Sequence, residues 1–223
     1  MNQFGEIVWI HVPTYNNAIL SSYMQAKTVG SGRYGLLFGK KAGYFQIVDY
    51  TGTVKKQFSS RFSDTPFTMH HDFTMSSPNK LLTISNKVAK LRPSEVKIAS
   101  KQTYLSDVLV EIDLNTKLKT KKLDFTELFH PRNTPFFTGD KKDDKKFVIW
   151  GEPKADFEFT HVNGIEHYPG KGYLVSIRNL NKIAMLNEKL NQVMWTLGPN
   201  KDDTFRIKSL SDQFTHLEPS TSQ

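Results

Sequence analysis

The chain has 223 residues, enough to bury a real core, and 38% of them are apolar, which excludes a chain disordered throughout. Thirty Lys and Arg against 22 Asp and Glu leave a net charge of +8, so the surface attracts anions, yet no RRM, zinc-finger or helix-turn-helix pattern accompanies the charge. The lysines fall in short runs such as Lys117–Lys122 and Lys141–Lys146, which read as solvated loops, and nucleic acid is not the expected partner. The absence of cysteine rules out disulfides and thiolate sites. No apolar run is long enough to span a membrane as a helix, so no membrane partner is expected.

Sixteen Phe, eight Tyr and three Trp favour strands. The first residues show no basic start, apolar stretch or cleavage site of a signal peptide; Glu6-Ile7-Val8-Trp9-Ile10 reads directly as a strand. Gly5–Trp9 looks like the second half of a unit that recurs. Next come Tyr34–Phe38 and Tyr44–Asp49, a turn at Tyr50-Thr51-Gly52, and a resumption at Thr53-Val54. The same shape returns as Lys80–Ser85, then Val108–Asp113 with a turn at Asn115-Thr116. Asp124–Phe129 is the one plausible helical turn, with Asp124 as its N-cap. Phe147–Trp150 and Gly172–Ile177 are strand-like, and a third copy closes with Ile183–Asn187 and Val193-Met194-Trp195. The polar, lysine-rich insertions near 86–104 and 131–146 stretch the spacing between copies.

Each copy supplies about four short strands, the content of a propeller blade. The fold class expected is therefore all-β, a β-propeller of about four blades forming one domain over residues 1–223. A two-sheet sandwich is the second architecture the strands allow. A propeller needs closure to remove its edges, so about four units imply one truncated at both ends.

Seven histidines are present, and three settings among them lie just before or at strand-like runs. These are Met69-His70-His71-Asp72-Phe73, Phe159-Thr160-His161-Val162-Asn163-Gly164 and Gln213-Phe214-Thr215-His216. Strand alternation puts His161 and Asn163 on one face, and puts Arg178 with Leu174 and Ser176. Taken singly, each has an ordinary explanation: a β-turn at His70-His71-Asp72, a hydrogen-bonding role for His161, a strand-end ion pair for Arg178. His11, His130 and His167 read as structural or surface residues. Gly30-Ser31-Gly32-Arg33-Tyr34-Gly35 fits a dinucleotide fingerprint in letters only, because a strand-like Leu36-Leu37-Phe38 follows where a helix is needed. Gly39-Lys40 lacks the upstream glycine of a P-loop, and the histidines do not form HExxH, so no metal site is expected.

Taken in order, the segments MHHDF, FTHVNGI, YLVSIRNLNKIAML, VMWTLG and QFTH resemble the bacterial arylsulfate sulfotransferase family, and DVLVEIDLNTKL is similar to that family's blade core. The likeness runs from about residue 40 to His216. It implies a six-bladed propeller, here incomplete, that moves sulfuryl groups from aryl sulfates to phenols without a nucleotide donor or other cofactor. It also implies a periplasmic setting, with homo-oligomerisation left open. By the same resemblance His216 matches the histidine that is transiently sulfated, Arg178 the arginine, His161 and Asn163 the HxN pair, and His71 the histidine of the HD step. His70 is the second candidate for that last position. The chemistry suits these types: imidazole is a nucleophile near neutral pH, arginine offers a fork of donors to sulfuryl oxygens, and a second, protonated histidine manages the phenol proton. The alternative is a non-catalytic propeller-like module whose basic channel captures anions or a protein partner.

Overall fold

The computed structural model describes residues 14–15, 18–19, 23–38, 43–60, 68–90, 103–130, 155–199 and 201–206. After a short pair, β1 (Thr14–Tyr15) and β2 (Ala18–Ile19), the chain builds three sheets in succession. The first is the antiparallel meander β3 (Tyr23–Thr28), β4 (Arg33–Phe38), β5 (Tyr44–Asp49) and β6 (Val54–Ser59). The second is β7 (His70–Ser77), β8 (Lys80–Lys90), β9 (Thr103–Asp113) and β10 (Lys119–Asp124). After the single-turn helix α1 (Phe125–Leu128), β11 (Phe157–Glu158) lies parallel on β9. The third is β12 (Val162–Tyr168), β13 (Gly172–Ile177), β14 (Lys182–Leu186) and β15 (Val193–Gly198), edged by the parallel β16 (Phe205–Arg206).

The repeat read from the sequence is the turn between the third and fourth strands of each meander. At Asp49, Oδ1 accepts from the amides of Thr51 at 2.9 Å and Thr53 at 3.0 Å. Asp113 takes the amides of Asn115 and Thr116 at 2.8 and 2.9 Å, and Asn187 takes that of Asn191 at 3.1 Å. A short acceptor side chain that bonds its own downstream backbone closes a tight turn without help from the core. That is why these polar residues recur at one place in the unit. The N-cap expectation is also met, since Asp124 Oδ1 accepts from the Thr126 amide at 3.0 Å.

Successive side chains take opposite faces of each strand, and the sheets pack face to face in series. Val108, Val110 and Ile112 of β9 pack toward the first sheet with Leu37, Phe45, Ile47 and Phe73. Leu109, between them, turns the other way, toward Val175, Ile177, Ala184 and Leu186 of the third sheet. The middle sheet is thus covered on both sides, and β9 is buried almost along its length, where a one-faced strand would alternate. Gly35 lets the first sheet come this close: a Cβ there would stand 2.8 Å from the Phe73 ring. Three sheets in series, with the middle one covered on both faces, replace the two-sheet sandwich. The expected half-copy at Gly5–Trp9 and the run Phe147–Trp150 lie outside the described residues. What is described is all-β with three repeated meanders, short of a closed propeller.

The first strands of the sheets lie against one another, β7 beside both β3 and β12. Asp72, buried on β7, joins all three: it accepts from Lys27 Nζ at 3.0 Å, from the Ile165 amide at 2.9 Å and from the Phe73 amide at 2.8 Å. Lys27 continues to the Ile165 carbonyl and to Glu166, each at 2.8 Å. These inner strands carry the histidines.

Candidate active site

His71 lies on β7 inside a break in the β7–β8 register between His70 and Phe73. His161 immediately precedes β12, where the register with β13 slips between Val162 and Gly164. Both have left-handed backbones, φ 58° at His71 and 52° at His161. A non-glycine residue held there costs about 1–3 kcal/mol and persists only where its surroundings over-determine it. Bulges at the start of the inner strands therefore aim these imidazoles out of the regular pleat. Their ring centroids are 5.0 Å apart, edge to face at 69°.

Arg178 closes the group from β13. It opens a one-turn 3₁₀ segment, Arg178–Leu180, so it does not continue the strand face of Leu174 and Ser176 as alternation would have it. The turn is fixed by backbone bonds from the Arg178 amide to the His161 carbonyl (3.1 Å) and from the Asn179 amide to the Thr160 carbonyl (3.0 Å). The exposed guanidinium puts Nη1 3.4 Å from His161 Nε2. A guanidinium only donates, so in this contact Nε2 of a neutral His161 is the acceptor; protonating the imidazole turns both groups into donors.

Asn163 is exposed on β12 within the register slip, and among the described residues its amide makes no hydrogen bond to the histidines. His70 points inward instead: it is buried, its Nδ1 lies 2.7 Å from Nδ1 of His71, and its Nε2 lies 3.2 Å from Asp107 Oδ1. That last approach is poorly aligned for a hydrogen bond. His216 lies outside the described residues. His167, read as structural, stacks on Tyr173 and meets Glu188 at 3.1 Å.

Two carboxylates complete the site and were not singled out from the sequence. Glu158 Oε2 lies 2.7 Å from His161 Nδ1, again off the line of an ideal hydrogen bond. Its signal is the spacing of Glu158-Phe159-Thr160-His161, three residues apart on a chain that bends at the histidine. Asp107 is fully buried on β9, where it accepts from Asn86 and Thr160; its signal is an acid inside an apolar run, which needs partners to be buried.

The two histidines are pushed apart in proton affinity. Glu158 raises the pKa of His161, against burial and the Arg178 charge. Burial, followed by the neighbouring His70 and His161, lowers that of His71. His161 thus holds its proton to higher pH than a free imidazole and His71 gives its proton up at lower pH, the pattern that separates an acid from a base in one site.

Fold and site together define an all-β meander-repeat protein that gathers imidazoles and a guanidinium beside its inner strands. Residues 3–217 match the profile of the arylsulfotransferase (ASST) family, and the chain belongs to that family. Its function is thereby of the aryl sulfotransferase type, on aryl sulfates and phenols. A comparison with curated proteins finds no match.

Proposed function

We propose that the protein transfers a sulfuryl group from an aryl sulfate to a phenol in two steps, through a sulfated histidine. The observation that carries this reading is the pair of His161 Nε2 and Arg178 Nη1, 3.4 Å apart, with the His71 ring 5.0 Å from that of His161. Sulfuryl transfer, like phosphoryl transfer, spreads charge over three equatorial oxygens while the entering and leaving groups stay in line. Arg178 and protonated His161 supply fixed donors for two of those oxygens or for the leaving oxygen. The nucleophile is His216, on its likeness in Gln213-Phe214-Thr215-His216 to the family's sulfated histidine. Its imidazole nitrogen attacks sulfur, the sulfur–aryl oxygen bond breaks, and His161 gives its proton to the departing phenolate. An acceptor phenol then returns a proton to His161 and attacks the same sulfur, and the nitrogen–sulfur bond breaks. Asn163, two residues from His161, is assigned to orient the bound aryl sulfate.

Initial-rate kinetics test the reading. Parallel double-reciprocal lines, with one equivalent of phenol released before any acceptor is added, are expected. Release that waits for acceptor would exclude the covalent step, and capture of aryl sulfate with no release at all would make the protein a binding module.

A further inference from the structure

The reaction as written uses His216, His161 and Arg178 but assigns nothing to His71 or to the buried carboxylate behind it. Asp107 is 1% exposed, and its two oxygens reach different parts of the site, Oδ2 the chain flanking His161 and Oδ1 the ring of His70. Oδ2 accepts from the Thr160 hydroxyl at 2.6 Å and from the Val162 amide at 2.6 Å. The residue between those two donors is His161. The Asp107 amide in turn donates to Thr160 Oγ1 at 2.9 Å, so the grip is reciprocal. One oxygen thus holds the chain on both sides of a left-handed histidine, which is the over-determination such a conformation needs.

The other oxygen works through a relay. Oδ1 accepts from Asn86 Nδ2 at 2.7 Å and lies 3.2 Å from His70 Nε2. Although this approach is off the line of a hydrogen bond, a carboxylate so close repels a lone pair, so a singly protonated His70 carries its proton on Nε2 and leaves Nδ1 an acceptor. Nδ1 of His71, 2.7 Å away, must then be the donor. The remaining nitrogen of His71, Nε2, is left with a bare lone pair.

We propose that Asp107 is a positioning residue that sets both histidines at once, locking the His161 backbone between Thr160 and Val162 and fixing His71 as the tautomer with a free Nε2. Its consequence for rate rests on the sulfuryl-transfer reading; the geometric part does not. The test uses the full chain with ¹⁵N-labelled histidine, wild type beside Asp107→Asn and Thr160→Val. Nitrogen shifts of wild-type His71 should show a proton on Nδ1 and none on Nε2, and Asp107→Asn should turn this into a mixture. On aryl sulfate, kcat should fall about 100-fold with KM within about twofold, the pattern of lost alignment with retained binding. Thr160→Val, which removes only the His161 grip, should lower kcat and leave the His71 tautomer intact. A His71 signal with the proton on Nε2 in the wild type, or one unchanged in Asp107→Asn, would overturn the proposal. If Asp107→Asn does not fold, an unchanged kcat in folded Thr160→Val overturns the lock. A wild type that turns over no aryl sulfate sinks the sulfuryl-transfer reading, while the nitrogen spectra still decide the role of Asp107.

Discussion

Replacing Asp72 by alanine should destabilise the protein far more than any surface charge change. The carboxylate is buried and takes one donor from each of three sheets: Lys27 Nζ at 3.0 Å, the Phe73 amide at 2.8 Å and the Ile165 amide at 2.9 Å. A hydrogen bond to a charged group contributes about 1.5–3 kcal/mol, and breaking a buried ion pair from one side costs about 3–5 kcal/mol. Lys27 is less stranded than most such partners, because Glu166 and the Ile165 carbonyl still hold it at 2.8 Å each. The loss therefore belongs at the low end, about 3 kcal/mol, a large share of the roughly 5–15 kcal/mol that holds a typical domain together. Urea unfolding followed by tryptophan fluorescence gives the figure, with a lower midpoint at unchanged slope. Lys27→Met should cost less, since it removes the charge but leaves both amides on Asp72. A loss under about 1 kcal/mol for Asp72→Ala would refute the idea that this carboxylate ties the inner strands together.

Other outcomes follow from the site. The rate on aryl sulfate should fall at alkaline pH as His161, whose pKa Glu158 holds above its ordinary value, loses the proton it gives to the leaving phenolate. Glu158→Gln should move the alkaline limb to lower pH, because it removes the charge that keeps His161 protonated; an unmoved limb would show that another group sets it. Arg178→Lys should keep donor binding yet slow turnover about 10²–10³-fold, because the amine keeps the charge and loses the fork. His161→Ala should recover most of its activity with aryl sulfates of acidic phenols, whose leaving oxygen needs no proton, and equal defects across a donor series would contradict its role as acid.

Much of the fold was legible because it is written in local chemistry. Asp49, Asp113 and Asn187 mark one turn in three copies, since each bonds its own backbone and needs no distant partner. The gathering of His71, His161 and Arg178 was legible from their ordered segments together with the repeat. What escaped is what depends on irregular backbone or distant pairing. Alternation put Arg178 on a strand face, but the chain leaves the strand at Ile177 to bond the carbonyls of His161 and Thr160. Alternation likewise paired Asn163 with His161, but the histidine stands outside β12 in a left-handed bend. Asp107 could be flagged as an acid in an apolar run, while its partners are Asn86, opposite it on β8, and Thr160 and Val162, which only tertiary packing brings to it.

The most direct test of the central claim is mass spectrometry of the protein after brief exposure to an aryl sulfate with no acceptor present. The account predicts one added SO₃ unit, acid-labile, mapped to the peptide carrying His216, and discharged when a phenol is added. It also predicts that His216→Ala gains no label and turns over no substrate. An unlabelled wild type that nonetheless transfers sulfate, or full activity in His216→Ala, would contradict it.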